Sequence, residues 1–367
     1  MRSNASGRSR LMAGAGLMVV AGLIASGCGS SSKSTTSTTV ASGSAPTTAG
    51  GSTASVPGGT LNGSGSTFQE NFDQDAIQAF DQAHPGVTIN YGAGGSGKGQ
   101  SDLLSHLVDF AGSDSIPKNL SSYTGGLLFF PIVAGPITVS YNLPSVAKLT
   151  LSAPTIAGIF DGSIKNWNDP AIAADNPGVT LPNQAITPVH RSDGSGTTSN
   201  FTKYLSKAAP SAWTLGSGST VNFPGGQAAS GNPGVATVVK QTVGAVGYVD
   251  YSTAVATGLT FASIKNSAGN VEPPTLAGAS AAVAGATIAP DLTYDPTDSP
   301  AADAYPITSP TWILVYKTQT NATKTAILKA FLDYILTTGQ GSIAAKDDFA
   351  PLPTALDQQA IAQLSQL

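Results

Sequence analysis

Between residues 59 and 107 the apolar positions change their period twice. Phe68, Phe72, Ala76, Ile77 and Phe80 recur three or four apart, the stripe of an amphipathic helix, and Pro85-Gly86 ends it. Val87-Thr-Ile-Asn-Tyr91 then alternates at period two, as a half-buried strand does. Glycines follow, and Leu103, Leu104 and Leu107 mark one face of a second helix. Strand, glycine-rich turn and helix in succession predict an α/β fold. Ile132–Tyr141 and Trp312–Tyr316 read as further extended stretches. Helix signals lie at Ala153–Phe160 and Phe201–Leu205, inside a Gly-, Pro- and Ala-rich middle from about 145 to 300. Near the end, Ile327, Leu328, Phe331, Leu332 and Ile335 line an amphipathic helix that Gly339 and Gly341 close. No internal repeat is visible.

The first 58 residues follow another rule. Arg2, Arg8 and Arg10 precede an apolar run from Leu11 to Ala25, too short for a comfortable membrane span and suited to a signal-peptide core. Ser26-Gly27-Cys28 follows, and Cys28 is the only cysteine, so no intramolecular disulfide can form. The position resembles a bacterial lipobox, in which small residues precede a cysteine that becomes acylated, although Ala25 stands where leucine is usual. We therefore expect a signal peptide over 1–27 and a lipid anchor on Cys28, which suits an exported chain on the outer face of the cytoplasmic membrane. Gly29–Gly58 is mostly Ser, Thr, Gly and Ala with a single charge, Lys33, and predicts a flexible tether with a reach of about 30 Å.

Charge narrows the partners. The 367 residues carry only 10% charged side chains. Without the three N-terminal arginines, 14 basic residues face 21 acidic ones, a net of −7. Nucleic acid is excluded as a partner, because that affinity needs clustered cations. A small anion bound here must be held by local groups. Beyond the leader the one arginine is Arg191; every other cation is a lysine. A planar, bidentate donor is thus used once, either for an ordinary ion pair or for a task that needs the fork.

Three stretches set glycines and small hydroxyl residues just before a helix: Gly63-Ser-Gly-Ser-Thr67-Phe68, Gly92-Ala-Gly-Gly-Ser96-Gly97 and Arg191-Ser-Asp193-Gly-Ser195-Gly196-Thr197. Helix N-termini present unpaired N–H groups and partial positive charge, so each is a candidate anion site. Each can equally be an ordinary cap. Gly92-x4-Gly97-Lys98 nearly spells a nucleotide-binding loop, but Gly99 replaces the Ser or Thr that holds Mg²⁺, and Lys98 is expected to be solvated or at the rim.

Together with Val108-Asp-Phe-Ala-Gly-Ser-Asp114, Ile164-Lys-Asn-Trp167-Asn-Asp, His190-Arg-Ser-Asp-Gly-Ser-Gly-Thr197, Gly244–Val249 and Tyr305-Pro-Ile-Thr308, these landmarks resemble the phosphate-binding receptors of bacterial ABC phosphate importers, over essentially all of residues 59–367. The resemblance implies an α/β, two-lobed periplasmic-binding-protein fold (type II) with mixed sheets flanked by helices. Lobe I is expected from 59–135 and 305–367 and lobe II from 136–304, with the ligand in the cleft between them. It implies a monomer that carries inorganic phosphate to membrane permease subunits, with no cofactor and no metal. Carried over by position, the implied phosphate contacts are Thr67, Phe68 (through its N–H), Ser96, Asp114, Arg191, Ser195, Gly196 and Thr197, with Asp193 fixing the guanidinium. Gln69 departs from the proline of many relatives, and Lys98 adds a charge to a usually neutral turn.

Other readings stand beside it. A receptor for another tetrahedral oxyanion would use similar turns; Asp114 argues against that, since a carboxylate suits a ligand that brings a proton. A phosphate-ester hydrolase would need a metal cluster or an activated nucleophile, and neither is visible in the sequence. We therefore expect a binding protein and not an enzyme. His84 at a helix end, His106 in mid-helix and His190 match no metal spacing, and Trp167 and Trp213 read as core.

Overall fold

The computed structural model describes residues 55–367; the expected leader, Cys28 and all but the last residues of the tether lie outside them. Twelve strands form: β1 (Gly59–Gly65), β2 (Val87–Ala93), β3 (Phe110–Ser113), β4 (Leu127–Tyr141), β5 (Thr150–Leu151), β6 (Thr187–Arg191), β7 (Gln227–Ala229), β8 (Ala245–Asp250), β9 (Thr260–Phe261), β10 (Ser263–Lys265), β11 (Val271–Glu272) and β12 (Thr308–Tyr316). Nine of them make one mixed sheet in the order β2-β1-β3-β12-β4-β8-β6-β7, with β9 on β4, and β11-β10-β5 form a small second sheet. β1 is parallel to β2 and β3; β12 runs antiparallel between β3 and β4.

β4 is the strand on which the rest turns. Its 15 residues are almost all buried. Leu127–Pro136 pair with β12, whereas Ile137–Tyr141 pair with β8 and continue into the parallel β8-β6-β7 set. One strand thus changes partner between Pro136 and Ile137, so the two halves of the sheet share a backbone. Proline suits that point, since it has no N–H to give to a ladder.

The helices flank the sheet: α1 (Glu70–Ala83), α2 (Ser96–Leu104), α3 (Ala153–Phe160), α4 (Pro170–Asp175), α5 (Gly196–Ala208), α6 (Gly231–Gln241), α7 (Tyr251–Thr257), α8 (Leu276–Ala284) and α9 (Ala322–Tyr334). The α1 stripe of Phe72, Ala76, Ile77 and Phe80 is buried, and Phe80 packs edge-on to Phe331 of α9 at 5.3 Å. A smaller core of Val189, Val235, Val239 and Val249 joins α6 to the far half of the sheet. Trp167 and Trp213 are buried, as their apolar neighbours suggest.

Two local expectations fail, each for a physical reason. α2 stops at Leu104; His106 takes a left-handed conformation (φ 54°) beyond its end and is not in mid-helix, and Leu107 is 70% exposed. Only Leu103 reaches the core, so that leucine triplet mimicked a helical face. α1 begins at Glu70, so Thr67 and Phe68 lie in the turn just before it, as their segment predicts, although Phe68 also continues the apolar stripe. Gly339 does not close the last amphipathic helix: the chain passes through a π-helical turn, Ile335–Gly339, into Gln340–Ser342. Gly339 is there because a Cβ would stand 3.3 Å from the Phe72 ring.

Candidate anion-binding site

The segments singled out by their glycines and hydroxyls meet where the two halves of the sheet join. On one side are the turn before α1, the start of α2, and Asp114 just after β3. On the other are the end of β6 and the starts of α5 and α6. Thr67, Ser96, Asp114, Arg191, Ser195 and Thr197 are all buried.

Asp114 sits at the centre of the first side. Its carboxylate accepts from Ser66 Oγ at 2.5 Å, Thr311 Oγ1 at 2.8 Å and, more weakly, Ser96 Oγ at 3.4 Å. Burial drives the carboxyl up to about 6; the Ser66 and Thr311 hydrogen bonds, the Arg191 charge and Ser96 limit the rise. Phe68 donates its N–H to Ser66 Oγ at 2.9 Å, so that N–H is engaged within the turn, and the Phe68 ring packs on Phe349. Ser96 opens α2, preceded by Gly95 at φ 91°.

Arg191 anchors the second side. Asp193 binds it as a fork: Nε to Oδ1 at 2.8 Å, and Nη2 to Oδ2. Its Nη1 donates to Asn232 Oδ1 at 2.9 Å. Only 1% of the Arg191 side chain is exposed. Burial alone would raise Asp193, but the Arg191 hydrogen bonds and charge, with the Gly231 N–H at 3.0 Å, hold it below the ordinary carboxylate value. Ser195 caps α5 by accepting from the Thr198 N–H at 3.0 Å, which leaves the Gly196 and Thr197 N–H groups in the unpaired first turn.

The two sides touch. Gly97 N–H donates to Gly194 O at 2.8 Å, and Asn200 Nδ2 donates to the Asp114 carbonyl at 2.6 Å. A Cβ on Gly196 would lie 2.5 Å from Ser96 Oγ and 2.7 Å from the Asp114 Cβ, so only glycine fits there. Asn232, at the start of α6, joins three of the expected residues at once. Its N–H donates to Thr67 Oγ1 (3.1 Å), its Nδ2 to Thr197 Oγ1 (3.2 Å), and its carbonyl oxygen takes Arg191 Nη1.

Sequence reasoning missed Asn232, Ser66, Thr311 and Asp250. Asp250 caps α7 through the Thr253 N–H at 2.7 Å and is fully buried with Oδ2 unpartnered; burial pushes it up to about 7. Of the four, Ser66 and Asn232 carried a local signal, Ser66 inside Gly-Ser-Gly-Ser and Asn232 after Ser-Gly at a helix start. His190 stacks on Phe223 at 4.6 Å, and Lys98 pairs in solvent with Asp102 at 2.5 Å. Among the described residues no group of three or more His, Cys, Asp or Glu is placed to hold a metal ion.

Two half-sheets sharing a strand, with serine- and glycine-rich helix starts converging between them, define the architecture of the PBP superfamily, and the PBP superfamily domain matches residues 32–338. Phosphate-binding protein PstS 3 of Mycobacterium tuberculosis is 37% identical over 364 residues, 94% of this chain and 95% of that one. PstS of Pasteurella multocida is 37% identical over 83% of this chain and 89% of its own length. Among solved structures, a high-affinity periplasmic phosphate-binding protein (PfluDING) bound with phosphate superposes with a TM-score of 0.66 at 25% identity, covering 83% of this chain and 94% of that one. The ancestral soluble variant of the human phosphate-binding protein gives 0.68 at 23% identity over the same shares and shows the shared fold. The chain belongs to the PstS family of phosphate-binding proteins within the PBP superfamily.

Proposed function

We propose that this protein is the receptor of a phosphate importer: it binds one inorganic phosphate between Thr67, Ser96 and Asp114 on one side and Arg191, Ser195, Gly196 and Thr197 on the other, and delivers it to membrane permease subunits. The observation that carries the reading is the buried Asp114 carboxylate set against the start of α5, with Arg191 the neighbouring cation. A carboxylate beside an anion repels it unless the ligand supplies a proton. Phosphate near neutral pH always carries at least one P–OH; sulfate carries none. Arg191, the Ser and Thr hydroxyls and the first-turn N–H groups suit the remaining oxygens. The lobes meet where β4 changes partner, so that 59–135 with 305–367 close against 136–304. Outside the described residues, Cys28 carries the lipid that keeps the exported chain on the membrane.

The test is a competition titration with phosphate, arsenate and sulfate. Wild-type protein should bind the first two and reject sulfate by ~10⁴-fold or more, the scale on which a site deprived of an expected donor discriminates. Asp114→Asn should relax that rejection, since an amide donates where a carboxylate cannot. Tight sulfate binding by the wild type would leave only a general oxyanion receptor.

A further inference from the structure

Behind Asp114, away from Arg191, a second carboxylate lies in the core. Asp73 of α1 is 1% exposed; its Oδ2 meets Gln69 Nε2 at 2.8 Å, and its Oδ1 has no hydrogen-bond partner. Gln69, itself fully buried, meets Thr311 Oγ1 with its other amide atom, and Thr311 Oγ1 meets Asp114 Oδ1 at 2.8 Å. Four side chains from α1, the turn before it, β12 and the end of β3 therefore form one unbroken line from Asp73 to Asp114.

The hydrogens of that line cannot be placed freely. Thr311 has one hydroxyl hydrogen and two acceptors beside it. If it donates to Gln69, its contact with Asp114 is filled only by a proton on Asp114, and Gln69 then donates to an ionised Asp73. A carboxamide turned by 180° has the same shape and permits the reverse order. Asp73 then carries the proton and donates to Gln69 Oε1, Gln69 Nε2 donates to Thr311, and Thr311 donates to an ionised Asp114. With a single proton on the line, the two orders differ in which carboxyl end holds it.

We propose that Asp73, Gln69 and Thr311 are a proton-ordering relay that keeps Asp73 neutral and Asp114 ionised, and so fixes Asp114 as the acceptor for a ligand's proton; this rests on the phosphate reading of the site. The surroundings of the two ends select that order. The titratable groups facing Asp73 are Glu70 on its own helix, Tyr91 from β2 and Asp114, and none is a cation. Burial pushes Asp73 well above its ordinary value. Asp114 has Arg191 and the Ser66 hydroxyl, both of which favour its charge. With the order reversed, Asp114 would be neutral, its proton turned towards Thr311, and the charge that turns sulfate away would be gone.

Three variants test it: Gln69→Leu and Thr311→Val interrupt the line, and Asp73→Asn keeps it, because an amide N–H donates to Gln69 as the neutral carboxyl does. The ratio of phosphate to sulfate affinity should fall by about tenfold in Gln69→Leu and Thr311→Val, the worth of one ordinary hydrogen bond, and stay near wild type in Asp73→Asn. Infrared difference spectra of wild type against Asp73→Asn at neutral pH should show one protonated carboxyl band, with and without phosphate. An ionised Asp73 in those spectra, an unchanged ratio in both interrupted variants, or an equal fall in Asp73→Asn would each overturn the relay. None of these touches the function itself, which fails only if the wild type does not bind phosphate.

Discussion

Arg191 spends all three of its guanidinium nitrogens on named partners in this conformation: Nε and Nη2 on Asp193, Nη1 on Asn232. That planar arrangement is one a lysine ammonium cannot copy. Arg191→Lys should therefore weaken phosphate binding by roughly 2 kcal/mol or more, the size of charge-assisted hydrogen bonds, as read by calorimetry. The neighbouring acid makes a prediction about pH. Asp114 ionises at about 6 in the fold, against 3.8 as the ordinary value. Between those limits the folded ligand-free protein retains a proton that the unfolded chain has released. Its stability contribution is thus full below 3.8 and is lost as pH rises towards 6, on the order of 3 kcal/mol. Asp114→Asn should flatten that part of the curve of melting temperature against pH. A slope unchanged from wild type would mean that Asp114 ionises as it does in the unfolded chain.

At the scale of elements, the starts of α2 and α5 are packed so closely that Gly196 has no space for a methyl group. Gly196→Ala should hold those helix starts apart. Phosphate affinity is expected to drop by about a hundredfold or more, consistent with overpacking costs of a few kcal/mol, while the two half-sheets keep their own cores. Calorimetry and a thermal melt on the same sample check both halves of that statement. Much at this scale was legible in the sequence. Val87–Tyr91 and Trp312–Tyr316 lie inside real strands, and Ala153–Phe160 is α3 to the residue, because side-chain period and β-branching act locally. The three glycine-rich segments also announced themselves, since close backbone approach demands glycine wherever it occurs. What could not be read was which distant side chains meet them. Asn232 is 41 positions from Arg191, and Thr311 is 197 from Asp114. The end of α2 was illegible for a different reason: three leucines at helical spacing say nothing about where the core stops.

For the molecule as a whole, the long β4 strand carries both half-sheets on one continuous backbone, which changes ladder partner between Pro136 and Ile137. Among the described residues no helix is long and apolar enough to cross a membrane. If Cys28 carries the proposed lipid, Cys28→Ala should release folded, phosphate-binding protein from the membrane fraction. Retention of the Ala variant at wild-type levels would refute the anchor. The burial of Arg191 has one more consequence. It is the only arginine after residue 10, and 1% of its side chain is exposed. An arginine-selective dicarbonyl reagent applied to the folded domain therefore has a single target, and under the proposed two-lobed reading it reaches that target only while the cleft gapes. Its labelling rate becomes a clock for opening, and phosphate stops the clock in proportion to the time the protein spends shut.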